Sequence, residues 1–517
     1  MIAEAGPPVA VFLGLLALVA CSRHGSSGDA GTPDSALDGP SGGSNPLDAR
    51  AADTRFRGRI GAIAWEVKIH EQPNMQSPMV GYLRAGAVVP STPAPVSLAG
   101  CSGGWYEIPP TGFVCVEANA ATTDLSNPIV RALSRRPDPE AHLPYMYGLV
   151  RQRSQIYTRL PSRDDATRLE PFLDSHMERW FRVPGENGAS FRADYWMRNK
   201  DAGAPPDPRT LWDERTTTEV PDWVEFDHPF PGDVSGKSPG WRISAGHTLT
   251  HQGFAFVETA VRDGRRYAIT TDLLAVPVDR MRPIEGSSYH GVRIPEDIDV
   301  PFALIRHDGG SFYRSNGAGM DRVGPAPRRA VIKLSGKERL IDNHYYYETT
   351  DDRWVCDTHA SRVGPLKRIE KWARDGERWI DVRVGSQTLV AFDGTKPVYA
   401  TLVSTGEAGL QDPETTKSTV VGDFRVYAKH ITTTMASEVV GEEFELKDIP
   451  YVQYFREGYA LHAAYWHDDF GTPRSHGCVN LAPEDARWLF WWTSPTVFPG
   501  WHGARVTKGG TVVSVHP

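Results

Sequence analysis

Apolar and polar positions alternate in short runs along most of this chain, and glycine and proline interrupt the runs. Arg378-Trp-Ile-Asp-Val-Arg-Val384 and Gln387-Thr-Leu-Val-Ala-Phe392 both follow a period near two, with a Gly-Ser pair between them. That pattern predicts two strands joined as a hairpin. Residues 396–404 read as a third strand and 419–427 as a fourth, with Gly422 at a turn or close approach. Ala482-Pro-Glu-Asp-Ala-Arg-Trp-Leu-Phe490 differs. Proline and two acids sit in a first turn, then Ala486, Leu489 and Phe490 share one face, which predicts a short helix. Residues 504–506 and 511–515 read as closing strands.

The same punctuation runs upstream. Residues 64–70, 79–89, 105–108 and 112–116 are short β-like runs separated by Gly and Pro turns, which predicts a small barrel over 58–118. Its spacing resembles a bacterial SH3-like domain, and Trp105 is either an exposed wall-binding aromatic or a filler of the barrel core. Residues 130–370 hold further short runs (253–257, 266–270, 301–305) between Pro, Asp and Gly loops. Tyr345-Tyr-Tyr-Glu-Thr-Thr-Asp-Asp-Arg-Trp-Val-Cys356 echoes Gly104-Trp-Tyr106 and Phe113-Val-Cys115, so a second barrel-like module or a divergent repeat is expected there. No catalytic cluster stands out in this region. The expected class is mainly β and multidomain.

The N-terminus breaks the pattern. Residues 9–20 are continuously apolar but too short for a bilayer span, which takes about 20 residues. The run ends in Leu18-Val-Ala-Cys21, which resembles a bacterial lipobox, although Glu4 and the lack of Lys or Arg depart from a positive leader. Residues 1–21 are therefore expected to be a lipoprotein signal, with Cys21 lipidated; a plainly cleaved signal is the alternative. By analogy with sorting in Gram-negative bacteria, Ser22 favours the outer membrane, so the expected location is periplasmic and lipid-anchored. Residues 22–55 are Gly-, Ser- and Pro-rich and read as a flexible linker.

Length leaves room for about three domains. A net charge of −8 with interspersed signs gives no basic stripe for nucleic acid. No further stretch is long enough to span a membrane, and no obligate protein partner is evident. Of five cysteines, Cys101 and Cys115 flank a predicted hairpin and are either a disulfide, which an oxidising compartment permits, or two buried thiols. Cys356 reads as a buried structural thiol.

The chemistry concentrates near the C-terminus. His462 lies sixteen residues before Cys478, and Ser475-His-Gly477 leads directly into that cysteine. A nucleophilic thiol needs a nearby base and backbone N–H donors for the oxyanion. These residues resemble the signature of the L,D-transpeptidases (the YkuD-type catalytic domain), a likeness extending over 374–517. The resemblance implies that Cys478 is the nucleophile and His462 its base, steadied by the Ala463 carbonyl. It also implies that Gly477 and Cys478 N–H groups form the oxyanion hole, while Ser475 and His476 shape the loop. Asn480, at a position where many members carry arginine, is expected to bind substrate, with Tyr465 and Trp466 as cleft wall.

Zinc held by His462, His467, His476 and Cys478 is a rival, weakened because neither His-x4-His nor His-x-Cys is a usual paired ligand spacing. The resemblance further implies peptidoglycan stem peptides as substrate and no metal or organic cofactor. A thioester would form with release of D-Ala, and the acyl group would pass to an amine. The alternatives are hydrolysis of the same bond by an L,D-carboxypeptidase or amidase, and a non-catalytic wall-binding lipoprotein.

Overall fold

The computed structural model describes residues 54–135, 137–182, 220–225, 228–231, 242–250, 252–366, 368–437 and 444–517. The signal segment with Cys21, and the linker as far as residue 53, lie outside the described residues. What is described is mainly β and is arranged in four sheets. No helix in it is long and apolar enough to cross a membrane.

The C-terminal alternation produces a six-stranded sheet. Arg378–Arg383 pairs antiparallel with Thr388–Asp393, and Trp379 stacks on its cross-strand partner Phe392 with ring centroids 4.5 Å apart. Thr388–Asp393 continues to Lys396–Leu402, while Val512–His516 returns parallel to Arg378–Arg383. The fourth predicted strand is shorter than its apolar run suggests: only Gly422–Arg425 is paired, at the sheet edge. Ser418, Thr419 and Val420 are buried instead beneath the nucleophile loop, because Thr419 spends its hydroxyl on two loop backbone groups. The helix forms at Pro483–Trp492, with proline in its first turn and Glu484 and Asp485 at its positive end. Its Trp488 stacks on Tyr399 of the sheet at 4.2 Å. Lys429, almost fully buried, donates to the Phe490 and Thr493 carbonyls at the helix's negative end.

The largest sheet, of sixteen described strands, crosses every boundary suggested by the sequence. Its spine is the long strand Phe444–Arg456, paired antiparallel with Ala428–Ser437 and with Tyr459–Ala463. Ala428–Ser437 passes through Gly503–Arg505 to Met79–Leu83 of the N-terminal module. On the other side, Gln252–Arg262 of the middle region joins the spine in parallel at Gln252↔Glu445 and Gly253↔Leu446. The middle region therefore divides in two. Strands between 146 and 284 belong to the spine's sheet, whereas those between 302 and 363 form a separate seven-stranded sheet. In the N-terminal module Cys101 and Cys115 form a disulfide. Trp105 is fully buried beside it, its indole N–H donating to the Ala99 carbonyl at 2.8 Å, so this ring is core and not a surface contact.

Three parts of the chain converge on Asp448. Its carboxylate takes an ion pair from Arg84 at 2.7 Å and hydroxyl hydrogen bonds from Thr432 at 2.7 Å and Thr271 at 2.5 Å. Its carbonyl accepts the Tyr147 hydroxyl at 2.6 Å. Asp448 is wholly buried, and Arg84 nearly so. Removing one member of a buried pair strands the other charge, at a cost of about 3–5 kcal/mol. Asp448→Asn is therefore expected to lower unfolding free energy by about that amount in urea titration. An unchanged midpoint would contradict the junction role.

Candidate active site

The strand Tyr459–Ala463 carries His462, and it pairs in parallel with Val479–Leu481 in the register Leu461↔Val479, His462↔Asn480 and Ala463↔Leu481. Residues 464–478 thus form a crossover that returns Cys478 to the cavity that His462 lines. His462, Cys478, Ser475, His476, Asn480 and Trp466 all line one cavity of about 320 Å³.

The loop is held from below. Arg474 and Ser475 N–H groups donate to the Thr405 carbonyl at 2.8 and 3.0 Å, and Glu407 N–H donates to the Ser475 carbonyl at 2.9 Å. Ser404 and Asn480 exchange backbone hydrogen bonds at 2.9 Å. Thr419 Oγ1 accepts the Gly406 N–H and donates to the Gly477 carbonyl, both at 2.8 Å. Two glycines make this packing possible. A Cβ on Gly406 would fall 2.1 Å from the Lys417 carbonyl oxygen, and one on Gly477, where φ is +125°, would fall 2.9 Å from the Tyr459 ring. The Ser404-Thr-Gly406 segment and Thr419 are site-building residues. Ser404-Thr-Gly406 belongs to the family resemblance in the sequence, whereas Thr419 shows there only as a polar, β-branched start to an apolar run.

The histidine's role follows from one contact. Nδ1 of His462 lies 3.1 Å from the Ala463 carbonyl, which can only accept, so Nδ1 carries the proton and Nε2 is left as the base. Burial lowers the pKa of this imidazole to about 4, with the Ala463 contact working the other way. Cys478 is half-buried and directs its thiol toward the Gly458 carbonyl at 3.6 Å. Burial pushes that thiol up to about 11, opposed by the Ala460 N–H. Both shifts favour the neutral thiol and the neutral imidazole over a thiolate–imidazolium pair.

Two expectations change. The Gly477 N–H, assigned to the oxyanion hole, donates at 3.1 Å to Ser475 Oγ, whose own proton goes to the Cys478 carbonyl. Ser475 thus closes a tight turn, and the Gly477 donor is committed within it. Tyr465 is not cleft wall: it is 2% exposed and packs against Tyr147 in the core, as a tilted pair with ring centroids 4.5 Å apart. The proposed zinc set does not assemble, since His462, His467, His476 and Cys478 do not bring three ligand atoms within 4.8 Å of one another. Among the described residues only His344, Cys356 and Asp357 do so, remote in sequence from this loop.

Asn480 gains a definite orientation. Its amide lies 3.0 Å from His467 Nε2, and His467 Nδ1 accepts the Asp469 N–H at 3.2 Å. A neutral ring that accepts at Nδ1 is protonated at Nε2, so the amide oxygen must face it. Asn480 itself is buried and lines the cavity.

Comparison with known proteins places this geometry in a class. Residues 377–515 match the model of the L,D-transpeptidase catalytic domain, YkuD. Over 193 residues, 31% of this chain, it is 28% identical to YciB of Bacillus subtilis (strain 168), a protein provisionally named an L,D-transpeptidase, and covers 87% of that protein. It is similar to the NMR structure of the catalytic domain of an E. faecium L,D-transpeptidase (23% identity, 27% of this chain and 98% of that one, TM-score 0.21). It is also similar to an L,D-transpeptidase from Mycobacterium smegmatis (17% identity, 44% and 88% coverage, TM-score 0.22). The C-terminal unit is a YkuD-like catalytic domain.

The neutral pair has a measurable signature. In a Cys356→Ser background, where Cys478 is the free thiol remaining in the described chain, its alkylation by iodoacetamide should rise about tenfold per pH unit from pH 7 to near 10. The sign follows from a thiol pKa raised to about 11: the reactive thiolate is scarce below that value and grows as pH rises. A plateau reached below pH 8 would reveal a preformed thiolate instead.

Proposed function

We propose that this protein is a peptidoglycan L,D-transpeptidase that acts through a Cys478 thioester. The observation that carries the reading is the parallel register placing His462 beside the 475–480 loop, with both residues opening into one cavity. As Cys478 sulfur attacks the carbonyl of the third stem residue, its proton passes to His462 Nε2. The developing oxyanion is held by backbone N–H groups of the loop; Gly477 can contribute only by releasing Ser475 Oγ. Collapse of the tetrahedral intermediate breaks the peptide bond, and the imidazolium returns the proton to the departing D-Ala amine. An acceptor amine then attacks the thioester with His462 as base, restoring the thiol.

A neutral resting pair suits this sequence, because charge separation is deferred until substrate has filled the cavity and displaced water. With water as acceptor the same site would be an L,D-carboxypeptidase or an amidase. A non-catalytic wall-binding role leaves the histidine tautomer and the braced loop without purpose. Incubation with disaccharide-tetrapeptide, read by mass, separates the cases: crosslinked dimer for transfer, tripeptide for hydrolysis, no change for neither. Cys478→Ala should abolish the product, and His462→Ala should slow its formation by about 10²–10⁴-fold while the protein stays folded. Product at wild-type rate from either variant contradicts the proposal.

We further read the protein as a periplasmic lipoprotein, held by a lipid on Cys21 through the 22–55 linker, with residues 58–118 as an SH3-like module. The support is the apolar run ending in Leu18-Val-Ala-Cys21. A fatty-acid probe fed to cells should label the wild-type protein and not Cys21→Ala. Equal labelling of the two rules out lipidation at this residue.

A further inference from the structure

The cavity over Cys478 is not built by the catalytic domain alone. Part of its wall is Leu149, Val150, Thr250 and Arg282, all upstream of the matched domain. Their placement follows from strand register. Met146–Val150 lies between Gln252–Arg262 and Met281–Ile284, which aligns Arg282↔Leu149 and Leu149↔Gly253. Gly253 in turn aligns with Leu446 of the catalytic spine. Residues directly opposite one another in a sheet project from the same face. Arg282, Leu149 and Leu446 accordingly line the cavity as one row. Gly253 is the gap in that row, where a Cβ would come within 2.5 Å of Tyr465 Oη and 2.8 Å of Leu446.

The wall has a chemical character. Apolar side chains such as Leu149, Leu446 and Ile449 make up much of it, and its charged members among the described residues are two arginines, Arg282 and Arg474. No carboxylate is among the described lining residues. Arg474 lies at the rim and is half exposed. Arg282 is half-buried, on the edge strand Met281–Ile284 that the middle region adds to the wall. An apolar cavity with arginine at its edge suits a short peptide that ends in a carboxylate, because a guanidinium matches a carboxylate in geometry and charge.

We propose that Arg282 binds the C-terminal carboxylate of the donor peptide, so that the middle region supplies part of the substrate site. This rests on the stem-peptide reading above. It assigns a task to the described strands between 146 and 284, where Arg282 anchors the end of the chain that departs. Arg282 is a positioning residue, separate from the atoms that exchange protons.

The test is binding, measured on Cys478→Ala protein so that no turnover intrudes. The ligands are a stem tetrapeptide with a free C-terminus and the same peptide as its C-terminal amide, titrated by calorimetry. Adding Arg282→Met should weaken binding of the acid about tenfold or more and leave the amide within twofold, and Arg282→Lys should recover part of the loss. Should the methionine variant fail to fold, Arg282→Gln keeps a polar side chain without the charge and serves the same comparison. Equal affinities with and without Arg282, or equal losses for acid and amide, overturn the proposal. Arg282-dependent binding in a protein whose wild-type form leaves the tetrapeptide unchanged would remove the acyl-transfer reading and leave the carboxylate subsite standing.

Discussion

A single buried carboxylate sets the conditions for the rest of this structure. Asp448 is fully enclosed on the spine strand, and a bare charge there is untenable unless opposite charge and hydrogen-bond donors surround it. Those donors come from three separate stretches: Arg84 from the N-terminal module, Thr271 from the middle region and Thr432 from the neighbouring catalytic strand. The carboxylate therefore demands that all three be docked. An apolar junction of similar size would tolerate sliding and repacking, whereas directional bonds to one small group do not. Asp448 has φ of +50° and Tyr451 +56°, so the strand departs from regular geometry where these contacts are made.

The same strand fixes the chemistry at one remove. Phe444–Arg456 pairs with Tyr459–Ala463, which pairs with Val479–Leu481, so the register of the spine is passed directly to His462 and the cysteine. A slip of one residue would turn His462 to the opposite face and destroy the pairing with Asn480. Burial then sets a trade. Enclosing the thiol and imidazole raises one pKa and lowers the other, so the free site holds no ion pair. On the proposed mechanism, the cost of separating charge falls to the bound complex, where fixed dipoles replace water.

Legibility in the sequence tracked the range of the interactions. The 378–393 hairpin, the helix after residue 482 and the candidate pair His462 and Cys478 were all readable, because each is specified within about twenty residues. Local signals failed where a distant partner decided the outcome. The run 419–427 has the composition of a strand, yet its first half is diverted by the bonds of Thr419 to Gly406 and Gly477. Tyr465 has the same amphipathic ring whether it lines a cleft or fills a core, and only Tyr147, more than three hundred residues earlier, settles it. Likewise the commitment of the Gly477 N–H depends on the rotamer of Ser475, which residue type alone does not dictate. Cys101 and Cys115 were open between two states for the same reason.

The row Arg282, Leu149, Gly253 and Leu446 is the extreme case, since four positions spread over three hundred residues make one surface. None of the four stands out locally, and the glycine least of all. Once aligned they mean that the cavity belongs to the composite sheet and not to the segment that carries the catalytic signature. A site of this kind separates two kinds of change. Substitutions in the 475–480 loop act on the reacting atoms, whereas substitutions in 146–150 or 281–284 reshape the opposite wall without touching them. On the proposed function, specificity can drift through the middle region while Cys478, His462 and their brace stay fixed, which gives the upstream strands a reason to be pinned to the spine at Asp448.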